Sequence, residues 1–148
     1  MKIHESAENY LETILILSHQ KPQVRSIDIA NELGFSKPSV SVAMKNLREN
    51  GYITVDGDGF IRLTQAGLDI AEMIYERHTL ISTWLIRLGV NPKTAAEDAC
   101  RIEHVISAES FEAIKKHVGP QPESTEAKKK KQPLRFFLWP PLPLPQLL

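Results

Sequence analysis

A single cysteine, Cys100, stands in 148 residues, so no intramolecular disulfide can form, and the chain reads as a cytoplasmic protein rather than a secreted, cross-linked scaffold. No run of about 18 apolar residues free of charge and proline is present, which argues against a membrane-spanning helix. The opening residues Met1-Lys2-Ile3-His4-Glu5-Ser6 lack the apolar stretch of a signal peptide. Net charge is missing as well, because 18 basic residues balance 18 acidic ones. That zero hides an asymmetry. Residues 1–127 carry 13 basic and 18 acidic side chains, whereas residues 128–148 carry five basic side chains and no acid. The length suits one domain, or one domain with an appendage, and excludes two full enzymatic domains. With 42% hydrophobic and 24% charged residues, a packed core is available.

What is present is mostly helical periodicity. Tyr10, Leu11, Ile14, Leu15 and Leu17 recur at three- and four-residue spacing after Ser6, until Gln20-Lys21-Pro22 stops the pattern. Ser26 is placed to cap a short amphipathic helix with Ile27, Ile29, Ala30 and Leu33, and Gly34 supplies a left-handed stop. Ser36 caps the next helix, which carries Pro38 in its first turn and ends at Asn50-Gly51. Tyr52–Val55 and Phe60–Leu63 flank the turn sequence Asp56-Gly57-Asp58-Gly59 and predict a hairpin. Thr64 then opens a helix of roughly 24 residues reaching Gly89. Asn91-Pro92 starts another through Ile106, and Ser107 caps a last one ending near Gly119-Pro120.

Helix, short helix, tight turn, helix and hairpin is the order of a winged helix-turn-helix, whose second helix of the pair enters the major groove of double-stranded DNA. Ser36, Lys37, Pro38, Ser39 and Ser41 would lie at the groove-facing end of that helix, where free N–H groups and the helix dipole favour phosphate. Arg25 belongs to the same basic set. Lys45 and Arg48 would reach the backbone from later turns, and Arg62 would project from the wing. The opposing reading is a plain three-helix bundle with solvated side chains. Residues 25–50 carry four basic and three acidic groups, a small surplus for a nucleic-acid binder.

Cys100, Glu103 and His104 stand at i, i+3 and i+4, so one helical face offers a thiolate, a carboxylate and an imidazole. Soft, hard and borderline donors together suit Fe(II), Co(II), Ni(II) or Zn(II) and argue against a dedicated Mg or Ca site. A buried cysteine beside a surface Glu-His pair would give the same spacing. His78, Glu12 and Asn9 are further candidates; His4, His19 and His117 have no partner at metal spacing. An enzyme with Cys100 as nucleophile and His104 as base is disfavoured, because two residues one turn apart rarely align for attack and no third group orients them.

Glu8-Asn9-Tyr10-Leu11-Glu12 on the first helix, the winged motif, Arg77-His78, and Ala99-Cys100-Arg101-Ile102-Glu103-His104-Val105-Ile106-Ser107 together resemble the diphtheria toxin repressor and manganese transport regulator family. The resemblance covers roughly residues 5–119. It implies a mainly α fold, with a winged helix-turn-helix DNA-binding domain followed by an α-helical metal-binding and dimerisation domain. It also implies a homodimeric, divalent-metal-activated repressor of iron or manganese homeostasis genes that binds operator DNA. The implied metal ligands are Glu12, His78, Cys100, Glu103 and His104, with Asn9 at a further ligand position. Cys100 matches iron-type members and favours Fe(II); Glu12 matches manganese-type members and makes Mn(II) the alternative. Ser82 and Ala96 replace residues that furnish an ancillary site in iron-type members, and the length matches the short form.

These readings divide the chain into a DNA-binding domain (1–64), a helical metal-binding and dimerisation domain (65–119) and a tail (120–148). In the tail, Lys128–Lys131 precede an aromatic, Pro- and Leu-rich stretch with no period from which to build a core. It reads as disordered or as the product of a frameshift, with a proline-rich ligand as the lesser option. The alternative to metal control is a winged-helix regulator gated by a small organic ligand or a protein partner, in which Cys100 and its neighbours merely pack.

Overall fold

The computed structural model describes residues 5–118, so the tail expectations and His4 lie outside the described residues. The elements run α1 (Glu5–Gln20), α2 (Ser26–Leu33), α3 (Lys37–Glu49), β1 (Ile53–Val55), β2 (Ile61–Leu63), α4 (Gln65–Arg87), α5 (Pro92–Val105) and α6 (Ala108–Val118). The fold is mainly helical with one two-stranded sheet, as the periodicity predicts. Two compact units divide inside α4, between Tyr75 and Glu76. No described helix is long and apolar enough to cross a membrane.

In the N-terminal unit the predicted apolar stripes converge on one core. Leu11, Ile14 and Leu17 of α1 meet Ile29, Ala30 and Leu33 of α2, Val40, Met44 and Leu47 of α3, Ile53 and Ile61 of the strands, and Ala71 of α4. Each helix turns inward through residues three or four apart, which is why short helices suffice. Gly34 takes the left-handed conformation (φ 68°) that ends α2 and turns the chain into α3. The start of α2 differs from expectation. Arg25, not Ser26, is the N-cap, because the Asp28 carboxylate reaches back to accept the Arg25 backbone N–H at 2.9 Å.

β1 and β2 pair antiparallel in the register Ile53–Leu63, Thr54–Arg62 and Val55–Ile61. The hairpin is tied into the unit at both ends. The Ile61 N–H donates to the Val24 carbonyl at 2.7 Å, and the Thr64 N–H donates to the Tyr52 carbonyl at 3.0 Å. Thr64 Oγ1 accepts the Gly67 N–H and donates to the Gly51 carbonyl, so the predicted cap also joins α4 to the end of α3. At Gly67 a Cβ would lie deep inside contact distance of the Tyr52 carbonyl oxygen, so only glycine lets the hairpin cross α4 there.

Candidate metal centre and nucleic-acid interface

The C-terminal unit gathers its polar groups where α4 faces α5. Asn91 caps α5 by accepting the Lys93 N–H at 2.9 Å, with Pro92 in the first turn. The buried face of α5 is Ala95, Ala96, Ala99, Cys100 and Glu103, small side chains followed by two with chemistry. On α4, Arg77, His78 and Ser82 are buried among Leu80 and Ile81. A charged or polar side chain is retained in such surroundings only with partners.

Those partners are specific. His78 Nδ1 lies 2.8 Å from Glu103 Oε2. Such a contact shares a hydrogen between the ring nitrogen and the carboxylate oxygen, two atoms of the kinds that also ligate metal. His104 Nε2 lies 3.3 Å from Glu103 Oε1, with the His104 side chain 1% exposed. Arg77 Nη1 donates to the carbonyls of Glu103 (3.2 Å) and Ile106 (3.0 Å) at the end of α5, and its guanidinium lies 5.6 Å from the Phe111 ring of α6. Ser82 Oγ donates back to the His78 carbonyl at 2.6 Å.

One donor atom each from His78, Cys100 and Glu103 lie within 4.8 Å of one another, and all three residues are buried. A first-row divalent ion holds N, O and S donors at about 2.0 to 2.3 Å, so donors sharing it stand up to about 4.6 Å apart. The bound on their separation lies close to that span, so the three donors suit a shared ion. A bound ion would supply positive charge against the thiolate and carboxylate, and His78, Cys100 and Glu103 would hold it.

Of the six residues singled out as ligands, these three are brought together, and His104 meets Glu103. Asn9 and Glu12 lie on α1 in the other unit, both buried, and Asn9 Oδ1 has no hydrogen-bond partner among the described residues. Ser82 and Ala96 are buried on α4 and α5, and Ala96 has no donor atom to offer. Arg77 had appeared only as His78's neighbour. Its signal was a cation on the otherwise apolar face of α4, but its carbonyl partners are 26 and 29 residues away.

The residues singled out for DNA, Arg25 among them, are all exposed. Lys37, Pro38, Ser39, Ser41, Lys45 and Arg48 of α3, with Ser36 before it and Arg62 of β2, are exposed. Ser36 Oγ accepts the Ser39 N–H at 3.3 Å and donates to Ser39 Oγ at 2.8 Å. Proline has no N–H, so in the first turn of α3 the Lys37 N–H is the donor these bonds do not use. Arg25 lies 4.5 Å over the Phe60 ring, which seats its guanidinium against the wing.

Family models match both halves of the chain. The N-terminal DNA-binding domain of iron-dependent repressors matches residues 2–59, and their metal-binding and dimerisation domain matches residues 64–131. The chain belongs to the iron-dependent repressor family. That family is one of transcriptional regulators, not of enzymes. An HTH-type transcriptional regulator of Methanocaldococcus jannaschii is 33% identical over 75% of this chain and 90% of its own length. The transcriptional regulator MntR of Salmonella typhimurium is 34% identical over 74% of this chain and 70% of its own. Among solved structures, the manganese regulator SloR aligns with TM-score 0.68 and 28% identity over 80% of this chain. A manganese-dependent transcriptional repressor in complex with manganese aligns with TM-score 0.71 and 27% identity over 78%. The chain spans about half the length of these two solved relatives, 54% of each.

Proposed function

We propose that this chain is a divalent-metal-dependent transcriptional repressor of iron or manganese homeostasis genes, acting in the cytoplasm as a homodimer on double-stranded operator DNA. The observation that carries the reading is the buried His78–Cys100–Glu103 donor group, set in the unit that follows a winged helix-turn-helix. Burying a carboxylate, an imidazole and a thiol between α4 and α5 costs desolvation, and a cation that all three can ligate offsets it.

Fe(II) is the favoured ion and Mn(II) the second. A thiolate suits the softer ion better than the harder one, whereas the carboxylate serves both. Asn9 and Glu12 enter as candidates from the family resemblance, to be tested separately. On the DNA side, Ser36, Lys37, Pro38, Ser39 and Ser41 present the start of the recognition helix, and Lys45, Arg48, Arg25 and Arg62 supply positive charge. Two such heads in a dimer would address half-sites one helical turn, ~34 Å, apart.

The test is a titration of Fe(II) under anaerobic conditions, and of Mn(II), against binding to duplexes selected from a random pool. Sequence-specific binding should appear with the ion, vanish with chelator, and fall steeply with salt as counterions are released. Chelator-insensitive operator binding by metal-free protein would overturn metal control and favour gating by an organic ligand or a protein partner.

A further inference from the structure

α3 carries one side chain that its surroundings do not explain. Val42 is 61% exposed, whereas the apolar residues that build the core, Val40, Met44 and Leu47, lie on the other side of the same helix. A β-branched residue at a solvated helical position is a poor helix former compared with Gln, Lys or Arg, and here it gains no burial in return. Its neighbours on the helix surface are Pro38 at i−4, Ser39 at i−3, Lys45 at i+3 and Asn46 at i+4, all exposed. Val42 is thus an apolar point inside a polar, partly cationic face.

The geometry points to Val42 as a base-reading residue that recognises a thymine methyl group in the operator. This rests on the proposal that α3 enters the major groove. Phosphates, sugars and most base-edge atoms in that groove are polar; the apolar feature exposed there is the C5-methyl of thymine. Lys45 and Arg48 sit one and two turns further along and can hold phosphate, which positions the helix without reading sequence. An isopropyl group between them and Pro38 meets a methyl group by dispersion and by exclusion of water, and it offers cytosine's bare C5 edge nothing. Val42 would then supply discrimination, while the lysine and arginine supply affinity.

The experiment uses the full chain with saturating Mn(II). Duplexes are selected from a random pool, and each thymine of the enriched site is replaced in turn by deoxyuridine, which removes only the methyl. At one thymine in each half-site the replacement should weaken wild-type binding roughly 3- to 10-fold, the scale of one buried methyl group. With V42A the same replacement should cost under about 2-fold, since the partner of the methyl is gone. Val42 is exposed, so V42A is expected to fold; V42T, which keeps one methyl and the branched shape, should recover part of the sensitivity. Equal deoxyuridine penalties in wild type and V42A at every thymine would overturn the assignment of Val42 and leave the repressor reading standing. No metal-dependent enrichment of any sequence would overturn the repressor reading, and this assignment with it.

Discussion

His78 and Glu103, 25 residues apart in sequence, meet at 2.8 Å between Nδ1 and Oε2, with both side chains almost wholly buried. The contact orients the imidazole before any ion arrives, and pre-organisation of this kind raises affinity by removing an ordering cost. Glu103→Gln keeps a hydrogen-bonding side chain opposite Nδ1 but removes the charge. In chelator its stability should stay within about 1 kcal/mol of wild type, while metal affinity falls by about 10- to 100-fold. Glu103→Ala removes the buried hydrogen-bond partner of Nδ1 and should cost about 1 to 3 kcal/mol even without metal. Calorimetric metal titration alongside urea unfolding in chelator separates the two effects. Loss of affinity in neither variant would remove Glu103 from the centre.

The role proposed for Cys100 is to set which ion the group prefers. Cys100→Glu replaces sulfur with hard oxygen and should shift activation toward Mn(II) relative to Fe(II) or Co(II). The position is buried on a face of alanines, so the larger side chain should also destabilise the metal-free unit by about 1 to 3 kcal/mol. Wild-type protein loaded with Co(II) should show near-ultraviolet thiolate-to-metal charge transfer, and Cys100→Ser should lose it. A Co(II) spectrum unchanged by Cys100→Ser would mean that sulfur does not touch the ion.

Asp28 ties the start of α2 to acid stability. Lys21, donating at 2.8 Å, is the main cause that holds its carboxyl below the usual 3.8; burial opposes this, and the Arg25 N–H adds to it. Because the folded value is depressed, the contribution is fully present above 3.8 and is lost as pH falls through the folded value. Asp28→Asn should cost about 0.5 to 1 kcal/mol at neutral pH, the scale of a helix cap. The gap between variant and wild type should hold constant above about pH 5 and close toward pH 3. A gap that widens on acidification would show the linkage to have the opposite sign.

At Gly67 the expected gain and the observed geometry oppose each other. Alanine is worth up to about 1 kcal/mol over glycine in a helix, and less in the first turn, where Gly67 stands. Here its Cβ would strike the Tyr52 carbonyl, a backbone atom that also accepts the Thr64 N–H and so has little room to give. Gly67→Ala should therefore destabilise the chain by about 1 to 3 kcal/mol. Because hairpin and α4 would have to part, the wing's amide protons should exchange faster in the variant. A stabilised Gly67→Ala would show that the hairpin can shift at no cost.

Local chemistry made most of the fold legible: Ser36, Thr64, Asn91 and Ser107 each accept an N–H in the first turn of the helix that the sequence assigns to them. The same holds for Cys100, Glu103 and His104, whose spacing alone puts them on one face. What a linear reading misses is contact across elements. Arg25 stays exposed, but nothing in the linear pattern shows the Phe60 ring beneath it, and Ser26 looks like a cap until Asp28 is seen reaching back to Arg25. Gly67 gives no local sign of Tyr52, 15 positions earlier. His78 could be placed beside Glu103 through family resemblance but not through periodicity, because α4 and α5 are joined by a turn whose path the pattern leaves open.

Arg77 joins the end of α5 to the docking of α6. Its Nη1 reaches the carbonyls of Glu103 and Ile106, where α5 has run out of N–H donors, and its positive charge sits at the negative end of that helix. The guanidinium also lies over Phe111, the buried residue of α6, so one side chain fastens the end of α5 and the start of its successor. Glu103 is shared: its carbonyl accepts from Arg77 while its carboxylate faces His78. Arg77→Lys keeps the charge but loses the planar fork, and a lysine can serve one carbonyl well but not both while covering the ring. It should lower stability in chelator by about 1 to 2 kcal/mol and weaken metal binding roughly 3- to 10-fold, because Glu103 then moves with the loosened helix end. Phe111→Leu is the control. It disturbs the ring contact while leaving both carbonyl bonds, so it should cost stability with little change in metal affinity. Calorimetric metal titration of wild type, Arg77→Lys and Phe111→Leu distinguishes the cases, and an affinity loss as large in Phe111→Leu as in Arg77→Lys would assign the effect to packing of α6 rather than to the hold on Glu103.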